Sequence, residues 1–253
     1  MERVKRQWLG IVLFLAAAIS MHAQLPGGGG LAPSTPQFSA AFSKLFGEHK
    51  AFSADMDMAM TEQGSKEGLS TPAKIWYLEG KSRLEIDLTR AKGPQLPAGM
   101  GEQLKAMGMG DMTMISQEGK TSSYLVYPSL QAYAVIATPN NKEQDESKIK
   151  LDSTELGKDT IDGQACIKNR VIITEGDGTK SEATVWNATQ LKKFPVRIET
   201  AKDNTKVQMT FRNAKLAKPD TKLFEPPANY KKHENVQSMM QEAIMKSIQG
   251  GAK

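Results

Sequence analysis

Two short stretches of the chain are rich in methionine, whose thioether sulfur can ligate a soft metal or line an apolar site. DMDMAM occupies residues 55–60 and MGMGDMTM occupies residues 107–114, in a chain with 14 methionines and one cysteine. Thioethers are soft ligands suited to Cu(I). Methionine is also flexible and polarizable, so it suits surfaces that receive apolar groups of varied shape. The two stretches therefore indicate either a copper site or an adaptable apolar lining.

The alternation within these stretches favours the apolar lining. Met56, Met58 and Met60 fall on one face of a predicted strand, and Met112 and Met114 on one face of another. Same-face neighbours on a strand stand about 6.6 Å apart. Two sulfurs on one metal must come within about 4 Å of each other, which long side chains could reach. Histidine, which copper-handling segments tend to carry, is absent from both stretches. Cu(I) binding is retained as an alternative.

The sequence contains none of the common catalytic motifs. It has no G-x-S-x-G elbow, no H-E-x-x-H pair and no G-x-x-x-x-G-K-[ST] loop. Asp55 and Asp57 alternate with the methionines, so we expect them in solvent rather than acting as an acid–base pair. Cys166 is the only cysteine, and we interpret it as a buried structural thiol. We therefore expect no enzymatic activity and no cofactor.

The distribution of charge along the chain argues against nucleic-acid binding. The formal net charge of +5 is spread along the chain among acidic residues. Nucleic-acid binding requires a clustered basic stripe instead. We expect no nucleic-acid partner.

The first residues are typical of a secretory signal peptide. MERVKR is basic, and the apolar run from Trp8 to Ile19 is shorter than the roughly 20 residues that span a bilayer. We place the cleavage after Ala23, and no cysteine follows it to carry a lipid anchor. Residues 24–37, rich in glycine and proline, are interpreted as a flexible linker. These features predict a periplasmic or secreted chain with no stable membrane span after cleavage.

Beyond residue 50 the hydrophobic pattern has a period of two. SRLEIDLT, for example, alternates Leu84, Ile86 and Leu88 with polar residues. Strict alternation is typical of antiparallel strands with one buried and one wet face. Turn signals such as EGK and GDG separate the alternating segments. The pattern predicts about eleven strands, near residues 51–61, 72–79, 82–90, 111–118, 121–127, 130–137, 149–157, 164–175, 180–187, 194–201 and 205–213. Their regular spacing favours one large curved sheet or barrel.

Three segments have helical rather than strand character. Residues 38–46 predict a short amphipathic helix, and the glycine-rich residues 94–110 predict a loose helix or lid. Residues 235–249 place their apolar side chains on one face, which is typical of an amphipathic helix. The predicted fold is therefore mainly β with α: one sheet, lid helices and a C-terminal helix.

Several short motifs, in their order along the chain, resemble the LolA-like (lipoprotein-carrier-like) half-barrel superfamily. AKIWYLEGKSRLEID (73–87) and SYLVYPSLQAY (123–133) resemble its third-strand region and its tyrosine-proline hairpin. LAKPDTKLFEPPANYKK (216–232) resembles its closing segment. The resemblance spans about residues 38–232 and is nearest to an uncharacterised branch of exported bacterial proteins. It implies an unclosed antiparallel half-barrel with helices over its concave apolar face, in a family whose members carry or sense lipids or acylated lipoproteins.

The resemblance implies a domain organisation and a function. We expect a signal peptide at 1–23, a linker at 24–37, a half-barrel domain at 38–232, and a C-terminal amphipathic helix and tail at 233–253. The expected function is reversible binding of a hydrophobic ligand, such as a lipid or an acyl chain, without covalent chemistry. An envelope protein-interaction scaffold with a self-filled core is the first alternative, and a methionine-rich Cu(I)-binding protein is the second.

The same resemblance, together with the alternation, designates site residues. Arg83 is the nearest candidate for the arginine that helps hold the lid closed in the lipoprotein carrier; a solvated arginine at a strand edge is the other interpretation. The residues expected to line the concave face are Met56, Met58, Met60, Leu84, Ile86, Leu88, Met112 and Met114.

Overall fold

In the computed structural model, the alternating segments pair into one sheet of twelve strands. The structure describes residues 40–62, 64–65, 67–94, 96–117, 120, 122–137, 146–202 and 204–250. The predicted signal peptide and linker lie outside these residues. The strands are β1 (Ala51–Glu62), β2 (Leu69–Leu78), β3 (Lys81–Asp87), β4 (Asp111–Gln117), β5 (Ser122–Tyr127), β6 (Ala132–Ala137), β7 (Lys150–Ile161), β8 (Gln164–Thr174), β9 (Lys180–Ala188), β10 (Phe194–Lys202), β11 (Thr205–Lys215) and β12 (Lys231–His233).

The sheet is an unclosed half-barrel, as the resemblance implied. The strand order is β12-β6-β5-β4-β3-β2-β1-β11-β10-β9-β8-β7. Strands β1 to β6 and β7 to β11 each form an antiparallel meander, and the pairing of β1 with β11 joins the two. Strand β12 adds to β6 in parallel. The edge strands β7 and β12 do not pair with each other, so two edges remain.

The structure corrects two details of the predicted strands. Twelve strands form rather than about eleven, because the three residues of β12 are too few to show a period of two. Strand β3 ends at Asp87, and Leu88–Arg90 form a 3₁₀ turn instead of continuing the strand. The Asp87 carboxylate accepts hydrogen bonds from the backbone N–H and the hydroxyl of Thr89, which caps this turn. Leu88 therefore leaves the strand, although it stays buried.

In the described part of the chain, three helices lie against this sheet. They are α1 (Ala40–Lys44), α2 (Met100–Ala106) and α3 (Val236–Gly250). The Lys44 ammonium of α1 donates to the backbone oxygen of Ile149, the residue before β7, over 2.7 Å. Helix α3 packs near β6 and β12, and it buries Met239 and Ala243. Within the described part of the chain, no helix combines the length and the apolar character needed to cross a membrane.

Apolar side chains are buried on both faces of the sheet. The concave face carries the main core, to which α1 and α3 contribute. A smaller cluster of Leu78, Ile115, Val126 and Phe224 lies on the convex face of β2 to β5. The chain segment around the 3₁₀ turn Thr221–Phe224 covers this cluster. The segment explains why β4 and β5 contain consecutive apolar residues rather than a strict alternation.

The long edge strand β7 is interrupted by a β-bulge. The register with β8 shifts between Glu155 and Gly157, so Leu156 is the extra residue. Gly157 has φ 131°, a backbone conformation that glycine adopts far more readily than other residues. Leu156 is 52% exposed, which makes it one of the few large apolar residues in solvent among the described ones.

Candidate functional site on the concave face

The structure brings most of the predicted lining residues together on the concave face. Met56 lies opposite Ala73 of β2 and Phe211 of β11, and Met58 lies opposite Thr71 and Met209. On the other side of β2, Leu84 and Ile86 of β3 pair with Met114 and Met112 of β4. All of these predicted residues are buried, as is Leu88 in the turn, whereas Met60 is half-buried near the end of β1.

The methionines on β1 and those on β4 lie on strands that are not neighbours. Strands β2 and β3 separate β1 from β4, a distance of about 14 Å across the sheet. The strand-borne methionines of the two stretches are therefore not adjacent, whereas Met58 and Met209 are cross-strand neighbours. Among the described residues, no group of three or more His, Cys, Asp or Glu side chains could hold a metal ion.

The concave face changes in character along its length. At the start of β1, Phe52 stacks on Phe46 from the α1 segment with ring centroids 4.6 Å apart, and Phe194 and Phe211 pack around them. At the opposite end, Met60 is only half-buried. The aromatic rings of Phe46, Phe52, Phe194 and Phe211 close one end of the face, which we call the floor. The other end, around Met60, is partly open to solvent, and we call it the mouth.

Residues 94–110, predicted as a loose helix or lid, contain helix α2, and we call residues 99–110 the lid. Leu104 and Met107 are partly buried against the main core, and Met109 is buried in it. Helix α2 itself contains no fully buried residue. Gly99 and Gly108, on either side of α2, have φ values of 76° and 70°. The lid is therefore a lightly packed helix between two backbone positions that favour glycine.

Glycines also allow the lid to approach the neighbouring turns closely. A Cβ atom at Gly101 would lie 2.7 Å from the backbone oxygen of Thr89. A Cβ at Gly110 would lie 2.6 Å from Cγ2 of the same threonine, and one at Gly108 would lie 2.6 Å from Cδ2 of Leu130. The lid consequently sits between the turn at 88–90 and the turn at 128–130, where β3 ends and β6 begins.

Two hydroxyl groups on the concave face were not predicted from the sequence as site residues. Thr71 is buried, and its Oγ1 has no hydrogen-bond partner. The Tyr127 hydroxyl contacts only the sulfur of Met112, over 3.8 Å. Burial raises the pKa of Tyr127 to about 12, so the phenol stays neutral. Thr71, Ile75 and Tyr77 lie on the same face of β2, because they are an even number of positions apart. This spacing in the sequence could have predicted that Thr71 faces inward.

Arg83 lies on the convex face, opposite in orientation to Leu84. Its guanidinium pairs with Glu85 over 2.7 Å and donates to the backbone oxygen of Leu223 over 3.1 Å. It also lies 5.9 Å from the ring centroid of Trp76. These contacts join Arg83 to the segment that covers the convex cluster, so Arg83 is neither at the mouth nor a solvated arginine.

The chain is similar to known proteins in structure. No family model matches the chain, and no curated protein sequence matches it. A LolA superfamily protein from Nitrosomonas europaea is 9% identical, with a TM-score of 0.37 over 73% of this chain and 94% of that one. The lipoprotein LppX of Mycobacterium tuberculosis is 12% identical, with a TM-score of 0.39 over 69% of this chain and 93% of that one. LprF from Mycobacterium bovis is 15% identical, with a TM-score of 0.40 over 76% of this chain and 95% of that one.

These similarities include the superfamily that the sequence motifs resemble, and they concern the fold. The function is therefore argued from the residues of this chain.

Proposed function

We propose that this protein is exported, holds an apolar ligand of the acyl-chain class on the concave face, under the lid, and releases it unchanged. The observation that carries the proposal is the lid of residues 99–110. It packs against the main core, buries no residue of its own helix, and is bounded by Gly99 and Gly108 in left-handed conformations. Apart from Met109, the apolar side chains of this segment are at most partly buried, so few buried contacts hold it closed.

Burial of hydrocarbon supplies the binding free energy. Each methylene moved from water into an apolar site contributes about 0.8 kcal/mol. The side chains available at the mouth, such as Met58, Met60 and Met209, are unbranched and can change rotamer to fit chains of different shape. The aromatic floor around Phe46 is rigid by comparison, so a ligand would enter at the mouth and displace the lid rather than α1.

The lid can be tested with one substitution and a matched control in the same helix. Leu104→Ser removes an apolar contact between α2 and the main core, whereas Gln103→Ser changes an exposed neighbour. We expect Leu104→Ser to accelerate release of diphenylhexatriene, an apolar fluorescent probe, by about tenfold. Gln103→Ser should release it at the wild-type rate. Equal release rates for all three proteins would exclude residues 99–110 as the gate.

A scaffold with a self-filled core is the second candidate function. The observation in its favour is that Met112 and Met114 are only 1% and 2% exposed, beneath side chains of the chain itself. A native mass spectrum of the exported, gently purified protein separates the two functions. Added mass in lipid-sized steps supports the ligand carrier, and bare protein that also takes up no diphenylhexatriene supports the scaffold. One added copper mass would instead support the Cu(I) alternative.

A further inference from the structure

One buried hydroxyl on the concave face lacks a hydrogen-bond partner. Thr71 is 1% exposed, and its Oγ1 contacts no donor or acceptor. An unpaired buried hydroxyl destabilises a fold relative to a paired one, because its lost hydrogen bonds to water are not replaced. The only other such oxygen among the described residues is Ser181 Oγ, and Ser181 is partly exposed. Thr71 is therefore a polar group that the folded chain leaves without a partner.

Thr71 is positioned where a ligand would pass. Its cross-strand neighbour is Met58 of β1, which in turn neighbours Met209 of β11. The next residues towards the mouth on the same face are Met60 and Leu69, and both are only partly buried. The hydroxyl therefore lies one side-chain step inside the mouth, among flexible apolar side chains.

The surroundings of Thr71 determine which ligand group could reach it. No lysine, arginine, aspartate or glutamate is buried among the described residues. Among the buried described side chains, the one that can take a positive charge is His233 on β12, at the edge of the sheet and about 24 Å from β2 across the intervening strands. A carboxylate or a phosphate bound beside Thr71 would thus be desolvated without a buried counter-charge, which is strongly unfavourable.

We propose that Thr71 donates a hydrogen bond to a neutral carbonyl oxygen of the ligand, as found in an acyl ester or an acyl amide. This inference rests on the function proposed above and deepens it. The acyl chain would extend from the carbonyl into the face towards β3 and β4. Tyr127, whose hydroxyl has only a sulfur partner, is a second neutral donor on the same face. The site thus selects acyl groups that are esterified or amidated over free fatty acids and hydrocarbons.

The test compares Thr71→Val with the wild-type protein, because valine keeps the shape of threonine and removes its hydroxyl. Displacement of diphenylhexatriene is measured with methyl palmitate, palmitate and hexadecane. We expect Thr71→Val to weaken methyl palmitate binding about five- to tenfold and to leave hexadecane binding unchanged. Thr71→Ser should retain the wild-type affinity for the ester. Thr113→Val, at a buried position on the convex face, is the matched control and should change neither affinity.

Thermal unfolding of the ligand-free proteins provides an independent readout. Thr71→Val should raise Tm by about 2 °C, because it removes an unpaired buried hydroxyl. A lowered Tm would show that the hydroxyl is already paired within the fold and would overturn the inference. Equal loss of ester and hydrocarbon affinity in Thr71→Val would also overturn it, while leaving the carrier function intact. Failure of the wild-type protein to bind any of the probes would refute the proposed function itself.

Discussion

At the scale of single residues, two tryptophans are each flanked by a lysine and an arginine. Such pairs gain from the attraction of a cation to the face of an aromatic ring, by about 0.5–1 kcal/mol at exposed sites. Trp186 differs from Trp76 in also donating from its indole N–H to the Asp159 carboxylate over 2.8 Å. The cations near the two rings are Lys74 and Arg83 for Trp76, and Lys168 and Arg197 for Trp186.

The hydrogen bond from Trp186 should be visible in the titration of Asp159. The indole hydrogen bond from Trp186 lowers the pKa of the Asp159 carboxyl more than any other contact does, and the backbone N–H of Thr160 lowers it next. Trp186→Phe keeps an aromatic ring and removes the indole donor, so we expect the pKa of Asp159 to rise towards its ordinary value. A depressed pKa stabilises the fold above the ordinary pKa, and this contribution is lost as the pH falls through the depressed value. Carboxyl NMR chemical shifts measured against pH give the result.

Asp177 provides an internal control in the same spectra. Its pKa is lowered by hydrogen bonds from Thr179, which do not involve Trp186. Its titration should be unchanged in Trp186→Phe. An unchanged titration of Asp159 would contradict the role of the indole.

At the scale of elements, the local pattern determines much of the structure. The period of two located eleven of the strands, and it placed Met56 and Met58 on the buried face, because burial alternates along any strand with one wet side. The helix at the C-terminus followed from its period of 3.6 in the same way. These features depend on residues close together in sequence.

Features that depend on distant residues were not predicted. The pairing of β1 with β11 joins residues from opposite ends of the domain, and no local pattern encodes it. The convex cluster requires Phe224 to return onto β4 and β5. The runs MTMI and LVY in these strands could have predicted this cluster. A strand with one buried face alternates apolar and polar residues, whereas consecutive buried residues indicate that both faces are covered. The unpaired state of Thr71 is a property of the assembled face, so its sequence neighbours do not reveal it.

The bulge in β7 belongs to the same scale and has a testable effect. An extended edge strand can pair with another chain, and bulges and charged side chains oppose this. Deletion of Leu156 removes the extra residue, so the ladder with β8 becomes continuous. We expect the deletion to increase self-association, measured by sedimentation velocity at increasing protein concentration. Leu156→Ser keeps the bulge and should remain as monodisperse as the wild type; association of both variants would assign the effect to the leucine side chain instead.

At the scale of the whole molecule, the two faces of one sheet carry separate clusters that share strands β2 to β5. Loss of packing on the convex face should therefore destabilise the concave face as well. Phe224 is 1% exposed, and Phe224→Ala should lower the free energy of unfolding by about 3–5 kcal/mol. Urea denaturation followed by both fluorescence and circular dichroism measures this loss.

The exposed neighbour Glu225 supplies the control for this prediction. Glu225→Ala should leave the free energy of unfolding within about 0.5 kcal/mol of the wild type. Both probes should report one transition for Phe224→Ala. Two separate transitions would show that the convex cluster unfolds independently of the main core.

The unclosed edge of the sheet has a mechanical consequence. A closed barrel can widen only by breaking hydrogen bonds between two strands or by changing its shear. Here β7 and β12 are unconnected, so a small change in twist at each strand pair alters the curvature while every ladder remains intact. The compliance of the half-barrel is thus distributed over the whole sheet. A bulkier cargo would be accommodated by a shallower arc of backbone, without a loss of sheet hydrogen bonds.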